Sequence, residues 1–175
     1  MKWAIDLSHS QIQFAVKHLG ISTVRGTFDQ FEGVIDEENG HVTGATVDID
    51  VASVNTGNAM RDGHLRSGEL FQTEQFPKAH FRLTSFNKTG EDVQALGELT
   101  LLGETHPVEL RGELNGPVKD PWGNQKVSAS LTTTISRKVW GLVYNGVLET
   151  GALLLSDDVK LTIEVQAAAL VEAAV

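Results

Sequence analysis

Within the stretch AMRDGHLRSGELF (59–71), four ionisable side chains, Arg61, Asp62, His64 and Arg66, fall inside six positions, and Phe71 follows. Guanidinium and imidazole groups are donors suited to anionic or polar acceptors, and a guanidinium can grip a phosphate or carboxylate with two parallel bonds. Residues 57–71 fit one or two short helical turns, on which Asp62 and Arg66 stand at i,i+4, an orientation that favours pairing. Arg61 then shares a face with Leu65, and Met60 with His64. Two readings follow. The insert is a cap whose charges are solvated or paired, or Arg61 and His64 are donors to a ligand's polar head.

Other candidates for chemistry are sparse. The six histidines (His9, His18, His41, His64, His80, His106) include no i,i+4 pair and no His-Glu-x-x-His, and there is no cysteine, so no metal site is expected. A nucleophile elbow, a P-loop and a dinucleotide fingerprint are all missing. Asp6 with His9, and Asp157 with Asp158, sit beside turns, where such residues commonly form the turn. Arg137, in SRKVWGL, has the parity of Ile135 and is expected to point inward. An inward arginine needs a partner, either a carboxylate such as Asp6 or a ligand phosphate. Trp140 lies just beyond, placed to pack on either.

Strict alternation dominates the rest of the chain. It puts Phe14, Val16 and His18 on one face, then Val47 with Ile49, Phe81 with Ala79 and Leu83, Leu99 with Leu101, and Leu131 with Ala129. His18 either caps a strand end or faces a cavity rim. Turn signals such as ENG (38–40), TGED (89–92) and SDD (156–158) separate these runs, with NGPVKDPWGN (115–124) read as a long loop. About eight half-buried strands with short turns imply an antiparallel sheet, and closing it into an up-and-down barrel removes the exposed edges. Val24, Gly26 and Phe28 have one parity and Phe31, Gly33 and Ile35 the other, so a bulge is expected near Asp29–Gln30. Large inner residues mix with Ala45, Ala79, Ala95, Gly97, Gly112 and Ala129. Small residues either tolerate curvature in a filled barrel or leave an apolar cavity, and the pattern does not decide between the two. The expected domain spans 1–168, with 169–175 as a C-terminal tail reading as a frayed or short helical end.

The chain has 175 residues and a formal charge of −9, from 14 Lys and Arg against 23 Asp and Glu. That balance argues against nucleic acid, whose binders need a basic face, and against peripheral binding to anionic lipid. No apolar run reaches the ~20 residues of a membrane span, so no stable membrane insertion is expected. The N-terminus MKWAIDLSHSQIQF lacks a signal-peptide core. As written the protein is expected in the cytoplasm, or in the periplasm if a signal peptide has been removed.

The segments WAIDLSHSQIQFAVKHLGISTVRGTFDQFEGVI, SVNTGNAMRDGHLRSGELFQTEQFPKAHF, GELTLLGETHPVEL and ISRKVWGL resemble the YceI-like family of polyisoprenoid-binding proteins over about residues 3–166. The most specific element is Arg61-Asp62-x-His64-Leu65 followed by Phe71 and Phe76-Pro77. The resemblance implies an all-β fold, an extended lipocalin-like antiparallel barrel of about eight strands, with a short helical insert near residues 57–71 at one end. It further implies an apolar tunnel holding an isoprenoid or other long-chain amphiphilic lipid, such as a polyprenyl diphosphate or an isoprenoid quinone, with its head at the mouth. The expected ligand-binding residues are therefore Phe14, Val16, His18, Phe28, Val47, Ile49, Phe71, Phe81, Leu99 and Leu131, with Arg61, His64, Arg137 and Trp140 toward the head. The expected role is carriage or storage without catalysis and without a cofactor; a homodimer stays open. Two rivals stand beside it. One is an enzyme on a prenyl substrate, using Asp6 with Arg137 or His18; the other is a filled barrel acting as a structural or stress protein. Leu70-Phe71 replaces the family's usual consecutive aromatic pair, so the pocket nearby is expected to differ.

Overall fold

The computed structural model describes residues 1–171. Val-, Thr- and Ile-rich alternation yields eleven strands: β1 (Lys2–Ile5), β2 (Gln11–His18), β3 (Ser22–Phe28), β4 (Phe31–Glu38), β5 (His41–Asp50), β6 (Val54–Asn55), β7 (Lys78–Thr89), β8 (Asp92–Leu101), β9 (Glu104–Lys119), β10 (Gln125–Ser136) and β11 (Leu155–Ala169). One helix, α1 (Ala59–Arg66), interrupts them.

The eleven strands make eight tracks. β1 and β2 lie end to end along β11, with Trp3 opposite Ala169 and Val16 opposite Val159. β4 and β3 continue one another on the next track, placing Ile35 opposite Trp3 and Gly26 opposite Phe14. β5 and β6 form the third, with Val47 opposite Gly33 and Val54 opposite Phe28. From β5 the sheet runs through β7, β8, β9, β10 and β11, each antiparallel to the last, and β11 meets β1 to close an eight-track barrel.

The breaks in the first three tracks coincide, and two of them share one chemistry. Asp6 and Asp50 each turn a side-chain oxygen back onto a backbone N–H two residues on, at 3.0 and 3.2 Å, starting 3₁₀ turns at Leu7–His9 and Val51–Ser53. Between β3 and β4, Asp29 N–H donates to Ser53 O and Asp50 N–H to Gln30 O. The expected bulge at Asp29–Gln30 is thus a strand break, and it does return Phe28 and Phe31 to one inner face.

Among the described residues β6 pairs only with β3, so no ladder joins it to β7, and α1 covers that gap. Asn58 caps α1 by accepting from Arg61 N–H at 3.0 Å. Asp62 does not pair with Arg66 as its spacing suggests. It is buried, accepting from Thr56 N–H at 2.9 Å and Thr56 Oγ1 at 2.5 Å, while Arg66 donates to the Ala52 and Val54 carbonyls. These bonds fasten α1 across the chain that leads into it, and local carbonyls outcompete a solvated i,i+4 ion pair worth only a few tenths of a kcal/mol.

The tracks define two ends. The helix end carries α1, residues 19–21, the 3₁₀ turn Arg137–Trp140 and residues 141–154. The opposite end carries tight hairpins, among them Asn39-Gly40, where both residues have positive φ, as a type I′ turn requires. The first half of the expected long loop at 115–124 is strand, because β9 runs to Lys119, leaving 120–124 as the turn before β10 resumes at Gln125. Ala167–Ala169, read as the start of a frayed or helical end, complete β11 against β1; residues 172–175 of that tail lie outside the described residues. The largest packed cluster, with Val51, Leu70, Leu101, Trp140 and Leu142, sits at the helix end under the connecting segments.

Candidate functional site

The barrel is hollow. A cavity of about 510 Å³ runs within it, lined by every strand but β6. Inward residues of β11 such as Val159, Leu161 and Ile163 stay half-buried instead of vanishing into a core. Alternation explains the lining, since each track sends every second side chain inward.

The small inner residues do both jobs the sequence left open. Gly26 lies opposite Phe14, and a Cβ there would fall inside contact distance of the Phe14 ring. Gly97 lies opposite Leu83, diagonal to Phe81, and a Cβ there would likewise fall inside contact distance of the Phe81 ring. Each glycine lets a phenyl ring lie flat against the wall, and a flat ring leaves the lumen open. Phe14 then meets Phe28 at 5.6 Å between ring centres, and Phe28 meets Phe71 at 5.8 Å, an aromatic path from β2 to the segment after α1.

Most polar groups on the lining gather at the helix end, Glu37 being at the other. Arg61 donates from Nε to Thr56 Oγ1 at 2.7 Å and from Nη2 to Thr56 O at 2.9 Å. It is the exposed member of the lining, so the cavity meets solvent beside it. His64 Nε2 is 2.6 Å from Glu69 Oε2, and its ring stands edge-on to Tyr144 at 4.8 Å. His18 lies opposite Leu155, the first residue of β11. At the other end Trp3 is buried and donates to Glu37 Oε2 at 3.0 Å, closing that side.

Arg137 points inward as expected, but neither Asp6 nor open space receives it. Its Nε donates to Ser156 O at 2.9 Å, and Nη1 donates to Leu142 O and Tyr144 O at 2.5 and 2.9 Å. Nη2 is buried without a hydrogen bond, whereas Asp157 Oδ1 has Lys138 Nζ at 3.1 Å. Burial lowers the Arg137 pKa and the Asp157 charge opposes this, so a guanidinium remains charged here. Arg137 is thereby a clasp that ties residues 142–156 to the barrel. Asp6 instead bonds Ser8 and His9 and lies off the lining, which removes the Asp6–Arg137 pair considered for an enzyme.

Thirteen of the fourteen expected site residues line the cavity: Phe14, Val16, His18, Phe28, Val47, Ile49, Arg61, His64, Phe71, Phe81, Leu99, Leu131 and Arg137. Trp140 does not. It is buried behind the wall, donating from Nε1 to Leu99 O at 2.9 Å and meeting His106 edge-on. Trp3, Tyr144, Leu154 and Leu155 line the cavity and were missed. Parity within WAIDL could have found Trp3; residues 141–154 carry no period to read.

The YceI-like domain model matches residues 3–167. A UPF0312 protein of Staphylococcus epidermidis is 40% identical over 162 residues, covering 91% of this chain and 92% of the relative. Among solved structures, the Campylobacter jejuni YceI protein is 33% identical with a TM-score of 0.75, covering 88% of this chain and 90% of that one. A polyisoprenoid-binding domain from Saccharophagus degradans shares the fold at 20% identity and a TM-score of 0.75, covering 96% and 98%. The chain belongs to the YceI-like domain family.

Proposed function

We propose that this protein binds and carries or stores an amphiphilic isoprenoid lipid, its tail in the barrel and its polar head at the helix end, without catalysis. The observation that carries this reading is the apolar cavity of about 510 Å³ whose polar lining lies mostly at the helix end. Each methylene taken from water contributes ~0.8 kcal/mol, so ten give about 8 kcal/mol before ordering costs. Affinity thus comes from the tail, and Arg61 with His64 sets head preference. The polyisoprenoid-binding neighbour supports the same ligand class. Four ionisable lining groups already have partners (Glu37 with Trp3, His64 with Glu69, Arg61 with Thr56, Arg137 with three carbonyls), and among the described residues the His18 ring stands without a carboxylate beside it, which favours a container over a reaction site.

Calorimetric titration with a prenyl alcohol and the matching prenyl diphosphate tests this, using wild type and Ala129→Phe, which fills the lumen from β10. One-to-one binding that the substitution abolishes in a folded barrel, with ligand recovered unchanged, is expected. No binding of either probe, or conversion of the bound lipid, contradicts the reading.

A further inference from the structure

Around the mouth the chain exposes apolar side chains that a soluble container does not need. Ile21 and Met60 are 84% and 87% exposed, Val147 75% and Val143 62%, with Leu19 and Leu153 partly so. Single exposed apolar residues are ordinary, but a contiguous set is not. The segments that carry these residues are joined around the mouth. Leu19 N–H donates to Leu154 O at 2.9 Å, which seats the 19–21 turn beside residues 147–154. Val147 and Leu153 face each other in an isolated antiparallel bridge, so their side chains share a side. His64 against Tyr144 brings α1 to the same segment, with Met60 one helical turn from His64 and Val143 beside Tyr144. Leu19, Met60, Val143 and Leu153 adjoin the lining residues His18, Arg61, Tyr144 and Leu154 in sequence, while Ile21 is tied to His18 through its N–H and Val147 to Leu153 through the bridge.

We propose that the rim of Leu19, Ile21, Met60, Val143, Val147 and Leu153 docks on a neutral lipid bilayer, from which the cavity is loaded. This rests on the isoprenoid-binding reading, because a long prenyl lipid resides in membrane and must leave it for the barrel without crossing water. The rim is continuous with the mouth, so one docking event both shields the apolar rim and aligns the entrance. A net charge of −9 sets the preference for a neutral surface, since an anionic bilayer repels the molecule as a whole. Insertion stays shallow: among the described residues no helix is long and apolar enough to cross a membrane.

Flotation with phosphatidylcholine vesicles, and the rate at which the protein extracts a fluorescent prenyl alcohol from them, test the proposal. The variants are Ile21→Ser/Val147→Ser on the rim and Trp122→Ser on the exposed hairpin at the opposite end. All three substitutions are at exposed side chains, and thermal unfolding checks that each variant folds. The rim variant should extract roughly tenfold or more slowly, as expected when several apolar groups no longer leave water, and should float less. Its binding of the same probe added from ethanol should equal wild type, and Trp122→Ser should match wild type throughout. Equal extraction by the rim variant, or a loss in Trp122→Ser alone, overturns the proposal. So does a wild-type dimer that the rim substitutions dissociate, which would make a second copy the occupant. Flotation without probe separates the two readings: rim-dependent flotation with no prenyl uptake supports docking and sinks the ligand class, and uptake with rim-independent flotation does the reverse.

Discussion

Gly26→Ala probes whether the flat phenyl rings keep the lumen open. A Cβ at this position would lie 2.7 Å from Phe14 Cε1 and 2.9 Å from Thr56 Cγ2, and closer still to Phe14 Cζ, against an ordinary contact of 3.4 Å or more. The backbone of β3 lies behind the ring, so the ring's way out is into the cavity. Crowding of this kind costs ~1–3 kcal/mol, offset by ~0.5–1 kcal/mol from replacing a strand glycine. At about 2–4 °C per kcal/mol the melting temperature falls by only a few degrees. Ligand binding suffers more. A ring swung inward displaces about three methylene equivalents, ~2–2.5 kcal/mol, or roughly a 30- to 70-fold rise in Kd. Calorimetric titration with a prenyl alcohol, paired with thermal unfolding, reads both numbers. Adding Phe14→Leu should restore most of the affinity by removing the displaced ring. If Gly26→Ala binds as tightly as wild type while Tm drops, the wall absorbs the methyl and the argument is refuted.

The remaining predictions concern charged groups. Arg61→Ala should weaken a prenyl diphosphate about tenfold and the matching alcohol little, a charge-assisted bond to an exposed arginine being discounted for solvent; equal losses in parallel titrations would remove Arg61 from the head site. Arg137→Met should destabilise by ~2–4 kcal/mol, since it strands the Leu142, Tyr144 and Ser156 carbonyls, and should raise hydrogen exchange across residues 141–155; unchanged exchange there would deny the clasp. The Ser8 side-chain bond and then His9 lower the Asp6 pKa to about 2. A depressed carboxylate pKa stabilises above the unfolded value and is lost as pH falls through the folded one. Asp6→Asn should therefore lower stability in denaturant titrations at pH 7, with the gap to wild type closing between about pH 4 and 2; a gap that persists at pH 2 would show that the charge is not its source.

The barrel was legible because period two is a global constraint. Once Ile12, Phe14 and Val16 share a face with Val159 and Leu161 across the ladder, the lining follows from parity alone. Hollowness was not legible, because it depends on whether Phe14 and Phe81 lie along the wall or across it, and Gly26 and Gly97 on the neighbouring strands decide that. The polar site was half legible. Residue types located the mouth at Arg61 and His64, but side-chain partners depend on which backbone groups a track break leaves free. Asp62 therefore bonds Thr56 and Arg66 bonds Ala52, against the helical spacing that pairs them. Trp140 shows the limit of parity beyond a strand end, where the 3₁₀ turn Arg137–Trp140 rotates it out of the lining toward Leu99 O.

Mass spectrometry of an organic extract from natively purified protein, beside a denatured and refolded control, asks the cavity what it holds. A stoichiometric prenyl species in the native sample alone is the predicted result. An empty extract, with no uptake of prenyl alcohol or prenyl diphosphate by the refolded barrel, would contradict an isoprenoid-binding function.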